Sequence, residues 1–290
     1  MNIECIGEGR YDLGECPIWD PQDGVLYFVD CPDSAIFRYD PRRGDIKRWD
    51  VVCEYLGSMA LRIGGGAILS MDDGFHTFDF ETCKTTIIAE PEAGQDELCF
   101  NDCKVDRQGR LISVSMHTGS TDPVAGMYRI DTDLSCTKLD GGLICPNGPC
   151  WSPDGRTLYL SDSYADEILA YDYDVATGDV SDRRTFLSTA GSGGYPDGGT
   201  VDSEGYMWSA HFDSGTIRRI APDGTVDRVV ELPVKWVASL TFGGDNHDIL
   251  YFTTIGCEYD GERDTTAQAG GVFAIHGLGV QGLEEPRFAG

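Results

Sequence analysis

Six stretches of this chain repeat one pattern, and that repeat restricts the fold more than any other feature. Each stretch is a short apolar run, a tight turn and a second apolar run. They read CPIWDPQDGVLYFVD from Cys16, MALRIGGGAILSMDDG from Met59 and DCKVDRQGRLISVSM from Asp102, then GPCWSPDGRTLYLSD from Gly148, GGTVDSEGYMWSAHF from Gly198 and LTFGGDNHDILYFTT from Leu240. Asp-Gly, Gly-Gly and Pro-Asp-Gly turns punctuate them, and long amphipathic helical patterns are absent. In most units a third strand follows, as in AIFRYDP, GMYRIDT and EILAYDY, and then a fourth, as in DIKRWDV and TVDRVVEL.

A four-stranded unit recurring at roughly 42–50 residues has the period of a propeller blade. One such sheet cannot bury both of its faces alone, whereas six arranged radially pack face to face and leave only short edges. The sequence therefore predicts an all-β, six-bladed β-propeller with four antiparallel strands per blade, filling residues 1–290 as a single domain. The segment before Glu15 has strand character but no unit of its own, so it is expected to add the outer strand of the last blade and close the ring. Six equal copies argue against a two-sheet sandwich. Trp19, Trp151 and Trp208 fall at like phases inside strands and read as packing between blades.

The same phase marks a candidate site. Five positions before the first loop residue of each unit stand Glu15, Ser58, Asn101, Asn147, Asp197 and Ser239. All six are polar and all enter otherwise apolar strands, where a blade core needs no polar group. At one rim of a central channel they would converge as two carboxylates, two amides and two hydroxyls. Such hard oxygen donors suit one divalent cation, whether Ca²⁺, Mg²⁺, Mn²⁺, Zn²⁺ or Fe²⁺. Glu15 and Asp197 would supply charge and Asn147 a neutral oxygen. The competing reading is that each merely caps a strand and satisfies turn amides.

Charge narrows the partners. With 22 Lys and Arg against 49 Asp and Glu, the formal net charge is −27, which repels phosphate backbones and anionic lipid. Neither a nucleic acid nor a membrane is expected as a partner. No basic region followed by an apolar stretch opens the chain, so a cytoplasmic protein is expected, a monomer or a weak homo-oligomer. Eleven cysteines at irregular spacing contain no CxxC, and the five histidines form no HxH or HxxxH pair. They read as buried free thiols and not as a zinc cage.

The stretches LGECPIWDPQDGVLYFVD, FNDCKVDRQGRL, CPNGPCWSPDGRTLYLSD, YPDGGTVDSEGYMWSA and SLTFGGDNHDILYFTT resemble, in order, the signatures of the gluconolactonase, regucalcin (senescence marker protein) and luciferin-regenerating enzyme family. The tail AGGVFAI…GLEEPRFAG also matches. The resemblance covers nearly the whole chain. It implies a six-bladed propeller with a single catalytic divalent metal held by Glu15 of LGE, Asn147 of PNG and Asp197 of PDG. It places Asn101 of FND beside the metal, in contact with substrate or a bound water. Hydrolysis of a small sugar lactone is the activity it implies.

That chemistry suits the oxygen donors. A Lewis-acidic cation would polarise the lactone carbonyl, and Asp197 is the expected catalytic base for the attacking water. No GxSxG nucleophile is present. The chain departs from its relatives where substrate would be gripped. Cys99 stands where many of them carry an Arg two residues before the Asn of the ND motif, and Ala210-His211-Phe212 lacks their Trp. Cys99, His117, Tyr164 and His211 are the further expected substrate contacts, with a less polar or differently substituted lactone. Two other functions compete: a metal enzyme with another substrate, such as a phosphotriesterase or a ring lyase or isomerase, and a non-catalytic divalent-cation-binding propeller.

Overall fold

The computed structural model describes residues 1–119, 121–259 and 261–290. Six four-stranded antiparallel sheets form the ring. The innermost strands of blades 1 to 6 are Gly14–Asp20, Leu56–Leu61, Leu98–Val105, Pro146–Trp151, Tyr195–Val201 and Val237–Gly243. Each pairs with its successor in sequence, so every blade is a meander running outward. Among the described residues the only helical segment is a 3₁₀ turn, Ser163–Ala165.

The ring closes as the sequence predicts. Asn2–Ile6 pairs antiparallel with Val272–His276 and becomes the outermost strand of blade 6. The first and last strands of the chain thereby share one sheet, which covers an edge that would otherwise be open.

Aromatic and branched side chains fill the seams between blades. Trp19 of blade 1 stacks on Tyr251 of blade 6, with centroids 5.4 Å apart, and Trp208 of blade 5 meets Phe242 of blade 6 edge-on. Phe75 of blade 2 packs on Phe100 of blade 3 at 4.4 Å. Each such buried ring contributes about 1.5–3 kcal/mol relative to exposure.

All six inner strands share one irregularity. The register against the second strand breaks between Glu15 and Ile18, Leu56 and Ser58, Phe100 and Cys103, Asn147 and Cys150, Pro196 and Gly199, and Val237 and Leu240. Every break falls at or directly beside a residue of the polar ring. A bulge re-aims side chains locally, so here it turns polar groups out of the apolar alternation and toward the axis. Gly148 shows how tight the backbone is there. Its φ is +58°, and a Cβ would stand 2.4 Å from the Gly199 nitrogen of the next blade.

The C-terminal segment crosses one end of the channel and narrows it to a cavity of about 210 Å³. Phe288, fully buried, exchanges backbone bonds with Leu61 and Ile63. The Gly282 N–H donates to the His247 carbonyl, the Ala289 N–H to that of Gly109, and Arg287 pairs with the buried Asp20 at 2.7 Å. The other end, where the inner strands begin, is not crossed by this segment and stands open.

Candidate functional site

That open end forms a cavity of about 220 Å³. Glu15, Asn101, Asn147 and Asp197 all line it. The two ring serines do not. The Ser58 hydroxyl donates to the Asn101 carbonyl at 2.5 Å, and Ser239 faces the cavity at the far end of the channel.

The two amides are locked together. Asn101 Nδ2 donates to Asn147 Oδ1 at 2.7 Å and to the Pro146 carbonyl at 3.0 Å. Asn147 Nδ2 donates to Ser163 Oγ at 2.9 Å, and that hydroxyl donates to the Pro196 carbonyl at 2.7 Å. This run of donors fixes which end of Asn147 is oxygen and leaves that oxygen a second lone pair. Ser163 was not legible in the sequence, because it stands outside the repeat phase, on the 3₁₀ turn.

The carboxylates are strained by charge. Burial pushes the Glu15 carboxyl well above the usual range, and the charges of Asp197 and then Asp102 push it further. Asp197 is raised by burial and by Asp102. No basic group contributes to either. Only the Cys16 N–H, at 3.1 Å, offsets the Glu15 shift, and only the Gly198 N–H that of Asp197. Asp102, also missed by the repeat phase, sits in the bulge of blade 3. It accepts the Cys103 N–H at 2.7 Å and the Gly148 N–H at 2.8 Å. Burial raises it too, against the opposing charge of Lys104. Acidic groups gathered out of water without a counter-ion are what a cation site requires. Among the described residues no group of three or more His, Cys, Asp or Glu side chains is gathered as a metal cage. The donor set is two carboxylates with an amide oxygen, which fits a hard cation bound with open positions and disfavours a soft one.

The remaining wall is aromatic. Tyr55, Tyr164, Tyr195, Phe212 and Tyr259 line it. The hydroxyls of Tyr164 and Tyr259 are hydrogen-bonded to each other, Tyr164 packs on Tyr195 at 5.1 Å, and Phe212 meets Tyr259 edge-on at 5.7 Å. Cys145 lines the cavity, but burial and then Asp197 raise its thiol well above the ordinary value, so it is no nucleophile.

Of the four expected substrate contacts, Tyr164 lies in this wall and three do not. His211 is completely buried, because alternation along its strand turns Phe212 and not His211 to the cavity. Both its ring nitrogens lack partners, and burial with the Arg218 charge lowers it to about 3, so it is neutral. His117 is half-buried and its Nδ1 accepts the Thr121 N–H at 3.3 Å, while its neighbours Met116 and Thr118 reach the cavity. Cys99 faces an adjoining groove, its thiol pushed up to about 12 by burial.

Residues 13–256 match the model of the SMP-30/Gluconolactonase/LRE-like region. Regucalcin of Xenopus laevis is 34% identical over 298 residues, covering 100% of this chain and 99% of its own. The 6-deoxy-6-sulfogluconolactonase of Pseudomonas putida is 32% identical, covering 99% of both. Among solved structures, a luciferin-regenerating enzyme superposes with a TM-score of 0.90 at 26% identity, covering 99% of this chain and 98% of that one.

Proposed function

Because the chain belongs to the SMP-30/gluconolactonase/LRE-like family, we propose that it is a lactonase that opens a small lactone ring with water, using a divalent cation held by Glu15, Asn147 and Asp197. One observation carries the reading. Glu15 and Asp197 stand at the open mouth of the channel beside a locked pair of amides, with no basic neighbour, and the Asp197 charge adds to burial in pushing the Glu15 carboxyl up. When bound, the cation supplies Lewis-acid chemistry, polarising the ester carbonyl and acidifying water.

The chain's own groups do the rest. Asp197 removes a proton from the attacking water. The water oxygen bonds to the acyl carbon and the ring C–O bond breaks. The departing alkoxide takes back the proton that Asp197 removed, and the new carboxylic acid ionises. Asn101, its amide hydrogens spent on Asn147 and Pro146, offers its Oδ1 as an acceptor to a substrate hydroxyl or to the attacking water. The packed tyrosines hold the ring of the substrate against the wall and exclude bulk water.

Chelator-stripped protein, assayed on a panel of lactones with a pH indicator and then given Ca²⁺, Zn²⁺, Mn²⁺, Mg²⁺ or Fe²⁺ singly, tests this. Activity should vanish on stripping and return with one or more ions. Full activity after stripping contradicts the cation. No turnover by the metal-replete protein contradicts the lactonase.

A further inference from the structure

The chemistry of the cavity wall points to the class of lactone. Among the described residues no Lys, Arg or His lines the cavity, and its only charged side chains are Glu15 and Asp197. Five aromatic rings line it, with Leu13, Met116 and Ile255 adding apolar surface. Its volume of about 220 Å³ falls below the roughly 300 Å³ at which drug-sized pockets begin, so it holds only a small lactone of about a dozen heavy atoms.

The approach is one-sided in charge. A groove beside the cavity shares Tyr55, Met116 and Thr118 with it. The groove is lined by Glu54, Asp72, Asp73, Glu90, Glu92 and Asp96, and by no basic residue among those described. Only Asp73 has a histidine against it, His76 at 2.8 Å. A substrate with a carboxylate, sulfonate or phosphate would lose its hydration on entry and gain no cationic donor from the protein. It would also cross a field of like charge. Aromatic faces, by contrast, reward an uncharged ring with an apolar edge.

Resting on the lactonase reading, we propose that the site takes a small, uncharged lactone with an apolar edge and turns away lactones bearing an anionic substituent.

The test uses the protein at saturating divalent cation and three probes: dihydrocoumarin, glucono-1,5-lactone and the same sugar lactone with a 6-sulfonate. At low ionic strength kcat/KM for the neutral sugar lactone should exceed that for the sulfonate at least tenfold, and 0.5 M salt should narrow the gap. Dihydrocoumarin should match or exceed the sugar lactone. Thr118→Arg, at the exposed junction of groove and cavity, should raise kcat/KM for the sulfonate at least threefold more than for its neutral counterpart. Equal or better turnover of the sulfonate, or a tenfold preference for the sugar lactone over dihydrocoumarin, overturns the proposal and leaves the lactonase standing. Turnover of none of the three overturns both.

Discussion

Asp197 is asked to do two things, hold a cation and move a proton, and the two can be separated. Asp197→Asn keeps the size and loses the charge and the basicity. At saturating metal it should lower kcat by about 100-fold or more, the range for losing general-base catalysis. Near-normal turnover there would leave Asp197 a replaceable ligand. Ser163 supports the site from behind, through Asn147 Nδ2. Ser163→Ala frees that amide to rotate and should weaken metal affinity by about 10-fold, the lower end for losing an outer-shell partner. Isothermal titration of both variants reads this directly. Glu15, Asn101, Asn147 and Asp197 were legible because the repeat marks polar residues where a blade needs none. Asp102 and Ser163 were not, because each lies off that phase and acts only once the bulge and the 3₁₀ turn have formed. Cys99 was chosen by a motif position, and His117 and His211 as loop residues following second strands. The structure puts both histidines within those strands, where alternation decides which side chains face the cavity.

The blade is where sequence and structure agree most closely, since the period of turns fixes both the strand count and the order. Its hidden part is the bulge at one place in every inner strand, which periodicity of two cannot reveal. The turn beyond the inner strand of blade 5 carries its own lock. Asp202, fully buried, accepts the Glu204 and Tyr206 N–H groups at 3.0 Å and holds Arg219 at 2.8 Å and the Trp208 indole at 2.9 Å. Asp202→Ala leaves Arg219 buried without that partner and should cost about 3–5 kcal/mol, the range for breaking a buried pair. Urea unfolding measures it, and a loss under 1 kcal/mol would show that Glu204 and Asp227, which also hold Arg219, carry the pair unaided. The closing strand makes a second prediction. Deleting residues 1–6 bares the edge of Val272–His276, an unpaired template for another chain. Size-exclusion chromatography should show the deletion variant associating where the full chain does not.

A ring of six blades leaves one channel, and the C-terminal segment narrows one end of it. The sequence carried the tail only as a resemblance. Its role there depends on contacts with blades distant in the chain, such as Arg287 to Asp20 and Phe288 to Leu61. The net charge of −27 acts at this scale too, since self-repulsion opposes the compact state. A cation bound only by the folded ring should stabilise it by about 2.7 kcal/mol at 100 times its Kd. The melting temperature should therefore rise saturably with the activating metal and fall on chelation. No shift with any of the five ions would argue against a folded-state site.

The central claim is that the open mouth holds the catalytic cation, and anomalous diffraction from crystals loaded with Mn²⁺ or Zn²⁺ tests it most directly. One strong peak is predicted, bounded by oxygens of Glu15, Asn147 and Asp197 at about 2.0–2.6 Å. A fully occupied ion elsewhere, at the far mouth beside Glu285, in the acidic groove or on cysteine sulfur, with none between these three residues, would contradict it.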